Sequence, residues 1–157
     1  MKQIIAMHGW SGNSSIWNQW KELFEKKGWL WQSGDRGYCL NKSFNPKWLN
    51  DKKSKDEKTS SRTIIAHSLG AHLLSEEILL KASTIILLSS FSRFIPKVGE
   101  TRALKAGLKG MKKALGTKNE KQMLNNFFQK ACYPSSMNNM PYNLIMDGLK
   151  EEGREKL

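Results

Sequence analysis

Cysteine, histidine and long apolar runs are all scarce in this chain of 157 residues, and each shortage excludes a class of protein. Cys39 and Cys132 are its only cysteines, too few for a disulfide framework, so a reducing cytoplasm is the expected setting. No Cys/His cluster has zinc-ligand spacing; no metal and no cofactor are expected. Histidine occurs only as His8, His67 and His72, and none follows His72. The apolar start Ile4 to Met7 is broken at His8-Gly9. No later run approaches membrane-spanning length, so neither an export signal nor a membrane anchor is expected. Acidic residues are outnumbered, 14 against 26 Lys and Arg, for a net charge of +12. The surface is therefore positive and favours an acidic partner, whether nucleic acid, anionic membrane or protein. No internal repeat is present.

What is there centres on Arg62-Thr63-Ile64-Ile65-Ala66-His67-Ser68-Leu69-Gly70-Ala71-His72. A short β-branched run stops at His67-Ser68 and helix formers begin after Gly70, so the chain turns sharply from strand to helix at Ser68. Small residues are needed two before and two after such a serine, and Ala66 and Gly70 stand there. Taken alone, Ala-x-Ser-x-Gly is also compatible with a chance Ser-Leu-Gly at a strand-helix junction. A second stretch adds order: Lys2 to Met7 reads as a buried strand and runs into His8-Gly9-Trp10-Ser11-Gly12, followed by an amphipathic helix.

Strand, His-Gly, helix, then strand, Ala-x-Ser-x-Gly, helix resembles the α/β-hydrolase superfamily over residues 1 to about 100. The resemblance implies an α/β fold: a mostly parallel sheet flanked by helices over 1–96, a helical lid over 97–157, and C-terminal strands missing. It implies Ser68 as catalytic nucleophile, the backbone N–H groups of Trp10 and Leu69 as oxyanion hole, and His8 and Gly9 as support for the oxyanion loop.

Between these motifs, Ser14 or Ser15 is expected to cap a helix carrying Ile16, Trp17, Trp20, Leu23 and Phe24, ended by Gly28. Trp29 to Trp31 reads as a strand and Ser33 to Tyr38 as a turn-rich loop; the loop resembles the Asp-x-x-Gly loop after the second core strand, which implies Asp35 as a loop-shaping residue and not a triad member. Residues 50–62 have no apolar side chain to bury and read as a connector, either a solvated loop or a frayed helix. A helix is expected over Gly70 to Lys81, and Ser83 to Ser89 as a strand covered on both faces. Beyond residue 97 three helical patterns follow. The first has an apolar stripe of Leu104, Leu108, Met111 and Leu115 beside a basic row, Arg102, Lys105, Lys109, Lys112 and Lys113. Thr117 and Glu120 have capping-box spacing before a second helix with Met123, Leu124, Phe127, Phe128 and Ala131 inward. Leu144, Ile145 and Leu149 start a third.

A serine hydroxyl needs a base, and the resemblance implies the order Ser, acid, His. Neither acid nor histidine stands at those places: Ser89-Ser90-Phe91-Ser92-Arg93 has no carboxylate, and Asp147 falls in the lid segment. His67 and His72 are expected to point away from the Ser68 hydroxyl. The expectation is the N-terminal part of a longer hydrolase, from a truncated gene or an incomplete sequence.

Within the superfamily the chain looks like the short carboxylesterases that cleave the methyl ester of pimeloyl-acyl-carrier protein in biotin synthesis. The carrying residues are Met7 to Gly12, Trp29 to Tyr38, Ala66 to Gly70, Ser90 to Pro96 and Arg102 to Lys105. Carrier protein is acidic, so one expectation for the basic row is a docking face for it, and the equal alternative is a solvated helix face. Two other functions stay open: a non-catalytic remnant or basic module that binds an acidic protein, and nucleic-acid binding. The last is disfavoured, because Trp17, Trp20, Trp29 and Trp31 fit core faces and leave no exposed stacking row. Acyl-chain length and oligomeric state are not encoded legibly.

Overall fold

The computed structural model describes residues 1–38, 42–49 and 60–135. The chain divides into two compact units, Met1–Phe91 and Ser92–Leu157. Most of residues 50–62, the third helical pattern, Cys39 and Asp147 lie outside the described residues.

The first unit is built on four parallel strands, β1 (Lys2–Met7), β2 (Leu30–Gly34), β3 (Ser61–His67) and β4 (Thr84–Leu88), in the order β2-β1-β3-β4. Helices flank this all-parallel sheet, an arrangement of the α/β class. The register pairs Gln3 with Leu30 and Arg62, and Met7 with Gly34 and Ala66. Because side chains alternate along a strand, consecutive isoleucines serve opposite faces. Ile4, Ala6 and Ile65 pack with Trp17 and Trp31 on one face; Ile5, Met7, Ile64 and Ala66 pack with Leu74 on the other. Each fully buried isoleucine contributes about 1.5–3 kcal/mol of transfer free energy, so β1 and β3 anchor the unit.

On the first face lies α1 (Asn18–Glu25), preceded by a 3-10 turn, Ser14–Trp17. Its cap is Asn13, whose side chain accepts the Ser15 N–H at 2.9 Å, in place of the expected Ser14 or Ser15. Trp17 is buried and Phe24 stacks on Trp31 at 5.7 Å, whereas Trp20 and Leu23 remain exposed. The apolar face is thus narrower than its sequence pattern. The second strand also begins one residue later than expected and continues to Gly34.

Two expectations fail beyond β3. The helix expected over Gly70 to Lys81 is two pieces, a 3-10 segment, Ser68–Leu73, and α2 (Glu76–Leu80), separated by extended Leu74 and Ser75. Leu74 turns inward onto Ile5, Met7, Ile64 and Ala66, and that burial outweighs helix continuity. Nor is β4 covered on both faces: Ile85, Ile86 and Leu87 are 45%, 40% and 55% exposed, and among the described residues β4 pairs only with β3. Among the described residues it is an edge strand, despite its fully apolar sequence.

The second unit contains α3 (Arg102–Ala114) and α4 (Glu120–Cys132). Gly116, at φ 71°, ends the first and reverses the chain. The capping box is displaced: Glu120 Oε2 accepts the Gly116 N–H, while Thr117 Oγ1 accepts from Asn119 at 3.2 Å. Leu124 and Phe128 are buried, Met123 and Phe127 half-buried, and Ala131, expected inward, is exposed. No helix among the described residues is long and apolar enough to cross a membrane.

Candidate functional site

In the order β2-β1-β3-β4 the chain leaves β1 toward one side of the sheet and returns through β3 on the other. The two loops meet at the carboxyl ends of β1 and β3, the edge where ligands usually sit in open parallel sheets. His8, Gly9, Trp10 and Ser11 follow β1 there, and Ser68, Leu69 and Gly70 follow β3.

Three serines on this edge have left-handed backbones: Ser11 at φ 57°, Ser68 at 53° and Ser89, just past β4, at 46°. These are the described non-glycine residues with positive φ. Such conformations cost on the order of 1–3 kcal/mol each and persist where surrounding structure enforces them. At Ser68 the enforcement is visible. A Cβ on Gly70 would overlap the Met7 carbonyl oxygen and lie 3.0 Å from that of His8. One on Gly9 would lie 2.9 Å from Ser68 Cβ and 3.2 Å from the His67 carbonyl. The two loops are in van der Waals contact, and glycine permits it on both sides. Ala66, fully buried in β3, fills the second small position. From the third loop, the Ser90 hydroxyl donates to the Ser68 carbonyl at 2.7 Å.

The β1 loop is held by His8, which is wholly buried. Its Nδ1 lies 2.7 Å from the Gly9 carbonyl, and its Nε2 accepts the Arg36 N–H at 3.2 Å. A carbonyl can only accept and an N–H only donate, so these partners require the tautomer with its proton on Nδ1. Asp35 is buried nearby, with Oδ1 3.8 Å from His8 Nε2. Its carboxylate instead accepts the Gly37 N–H and the Ser14 N–H, both at 2.9 Å, tying the β2 loop to the start of the helix after β1. Tyr38 sets its ring edge-on to His8 at 5.7 Å, and burial raises its phenol pKa against the opposing influence of Arg36.

The other histidines do not engage the serine. His72 Nε2 lies 2.8 Å from the Phe91 carbonyl, and its ring stacks on Phe91 at 5.2 Å. His67 sits at the exposed end of β3; desolvation of its ring, and secondarily His8, lowers its pKa below the ordinary histidine value. Among the described residues no histidine is hydrogen-bonded to the Ser68 hydroxyl. This edge thus carries half-buried Ser68 on a strained turn beside the loop of Trp10, with Leu69 next in chain. Such an arrangement suits attack on a carbonyl once a base is supplied. Leu69 and Trp10 are each half-buried.

Sequence reasoning missed Ser11, Ser89 and Ser90. The only sequence signal for them is a serine placed just beyond an apolar run in a parallel-sheet pattern. In the second unit, Arg102, Lys105, Lys109, Lys112 and Lys113 are all exposed on α3. The described residues contain no group of His, Cys, Asp or Glu arranged to hold a metal.

No protein-family profile matches the chain, and no curated protein matches it.

Proposed function

We propose that Ser68 is the acyl-accepting nucleophile of a serine carboxylesterase of the α/β-hydrolase type. The observation that carries this reading is the left-handed backbone of Ser68 at a strand-to-helix turn, pressed against Gly9 at the carboxyl edge of a parallel sheet. In the reaction, Ser68 Oγ adds to an ester carbonyl and passes its proton to a base. The tetrahedral oxyanion takes hydrogen bonds from the Trp10 and Leu69 N–H groups, the alcohol leaves with a proton, and water releases the acid from the acyl-enzyme. The base comes from outside the described residues. The helical segment after residue 97 corresponds to the lid of the resemblance. The favoured substrate is the methyl ester of pimeloyl-acyl-carrier protein, with the acidic carrier drawn to Arg102, Lys105, Lys109, Lys112 and Lys113.

A second reading has its own support, because no histidine is bonded to Ser68. In it the chain is a non-catalytic module that holds an acidic protein through the same basic row. Intact-mass measurement after exposure to a fluorophosphonate probe, with Ser68→Ala as control, separates the two. Prompt labelling confined to Ser68 supports the esterase; a folded but unlabelled chain supports the binding module.

A further inference from the structure

The sheet face opposite α1 carries a cleft of about 830 Å³ whose described lining does not include Ser68. Among the described residues four cations border it, Arg36, Lys47, Arg62 and Lys81, against one carboxylate, Glu77. Glu77 is already engaged by Lys81 Nζ at 2.7 Å. That bond, with the charges of Lys81 and then Lys47, holds its carboxyl below the usual glutamate range. The described lining therefore keeps a positive excess after the Glu77–Lys81 pair is counted.

The two arginines are under-satisfied. The Nε atoms of Arg36 and Arg62 are buried and have no hydrogen-bond partner, and Arg36 Nη1 makes only a long bond, 3.4 Å, to Asn45 Oδ1. A buried Nε–H without an acceptor is costly to keep, and an oxyanion is a natural complement to a guanidinium group. Arg62 lies level with Leu30 in the sheet register, and Arg36 follows the end of β2. At about 3.3 Å per residue the two levels are on the order of 20 Å apart along the strands. The lining also holds an apolar strip, Met7, Leu74, Ile78 and Trp48, among its polar groups. The Trp48 ring is fixed by its Nε1 donating to the Ile78 carbonyl at 2.9 Å.

We propose that this cleft binds a phosphorylated small molecule of nucleotide size. Phosphate oxygens meet the Arg36 guanidinium, aided by Lys47, the organic body lies against Trp48 and Ile78, and its polar far end reaches the Arg62 guanidinium. The volume suits an organic ligand and exceeds what a lone phosphate fills. The cationic excess exceeds the charge of one carboxylate and matches multiply ionised phosphate. This site is independent of the Ser68 reading.

The test is calorimetric titration of the 157-residue chain with ATP and with inorganic pyrophosphate at about 0.15 M salt, where long-range attraction is screened. Saturable one-to-one binding of ATP is expected, at least tenfold tighter than pyrophosphate because of the apolar wall. Arg36→Gln and Arg62→Gln should each weaken ATP at least tenfold. The surface double variant Lys47→Gln with Lys81→Gln should weaken it severalfold, and it decides the matter if circular dichroism shows an arginine variant unfolded. Lys105→Gln with Lys109→Gln removes the same charge from α3 and should leave binding unchanged. Absence of saturable binding, equal loss in the two lysine pairs, or pyrophosphate binding as tightly as ATP would overturn the proposal.

Discussion

The Ser90 hydroxyl donates to the main-chain carbonyl of Ser68 at 2.7 Å, so the loop after β4 braces the strained turn after β3. Ser90→Ala removes that donor from a half-buried carbonyl, and the expected loss is about 1 kcal/mol of stability. A shifted midpoint with an unchanged slope in urea denaturation is the readout. If Ser68 is the nucleophile, its labelling rate should fall in this variant as well, because the turn that carries its hydroxyl loses that brace.

Gly70→Ala places a methyl group into the Met7 and His8 carbonyls. The expected cost is at least about 1–3 kcal/mol, since both oxygens belong to a packed backbone that cannot yield as a flexible side chain does. Gly9→Ala meets Ser68 Cβ and the His67 carbonyl at longer range and should cost less. Denaturation midpoints in the reverse order would contradict the close approach of the two loops.

On α3 the same substitution should act oppositely. Gly107 and Gly110 have nothing within 4 Å of an added Cβ. Alanine there restores helix propensity at no steric cost, stabilising the chain by about 0.5–1 kcal/mol per site. Thermal unfolding of the single variants and the pair measures it, and additive increases are expected.

His67 sets a pH dependence. Its folded pKa lies below the ordinary value, so the unfolded chain binds the proton more readily. The stabilisation is complete above the ordinary histidine value near 6.5 and is lost as pH falls through the folded one. His67→Gln should flatten this part of the stability profile measured between neutral and mildly acidic pH. An unchanged slope would assign the effect to another group.

The strands and the site loops were legible because their signals are local. The run Thr63 to Ala66, the break at Ser68 and the small residue at Gly70 together encode a tight strand-to-helix turn, and the structure has one. What was illegible depends on distant partners. Leu74 breaks the helix after Ser68 because a core lies beneath it, which no heptad count around Leu74 reveals. The apolar run Thr84 to Leu88 reads as an interior strand, yet its exposure depends on what stands beside it. Asp35 was recognised as a loop former, but its reach to Ser14, 21 residues earlier, is a tertiary fact. The bond from Ser90 to Ser68 has the same character. Neither member carries a sequence mark of the other.

The exposed strand β4 has a consequence for handling the protein in solution. Ile85, Ile86 and Leu87 offer a sticky β-edge, and the main colloidal safeguard is mutual repulsion of chains carrying +12. That repulsion reaches about 10 Å at 0.1 M salt and only about 3 Å at 1 M. Turbidity should therefore rise with added sodium chloride at constant temperature, and Ile86→Lys should suppress it. Concentrated stocks are expected to keep best in dilute buffer, the reverse of the usual practice of salting a basic protein to keep it clear.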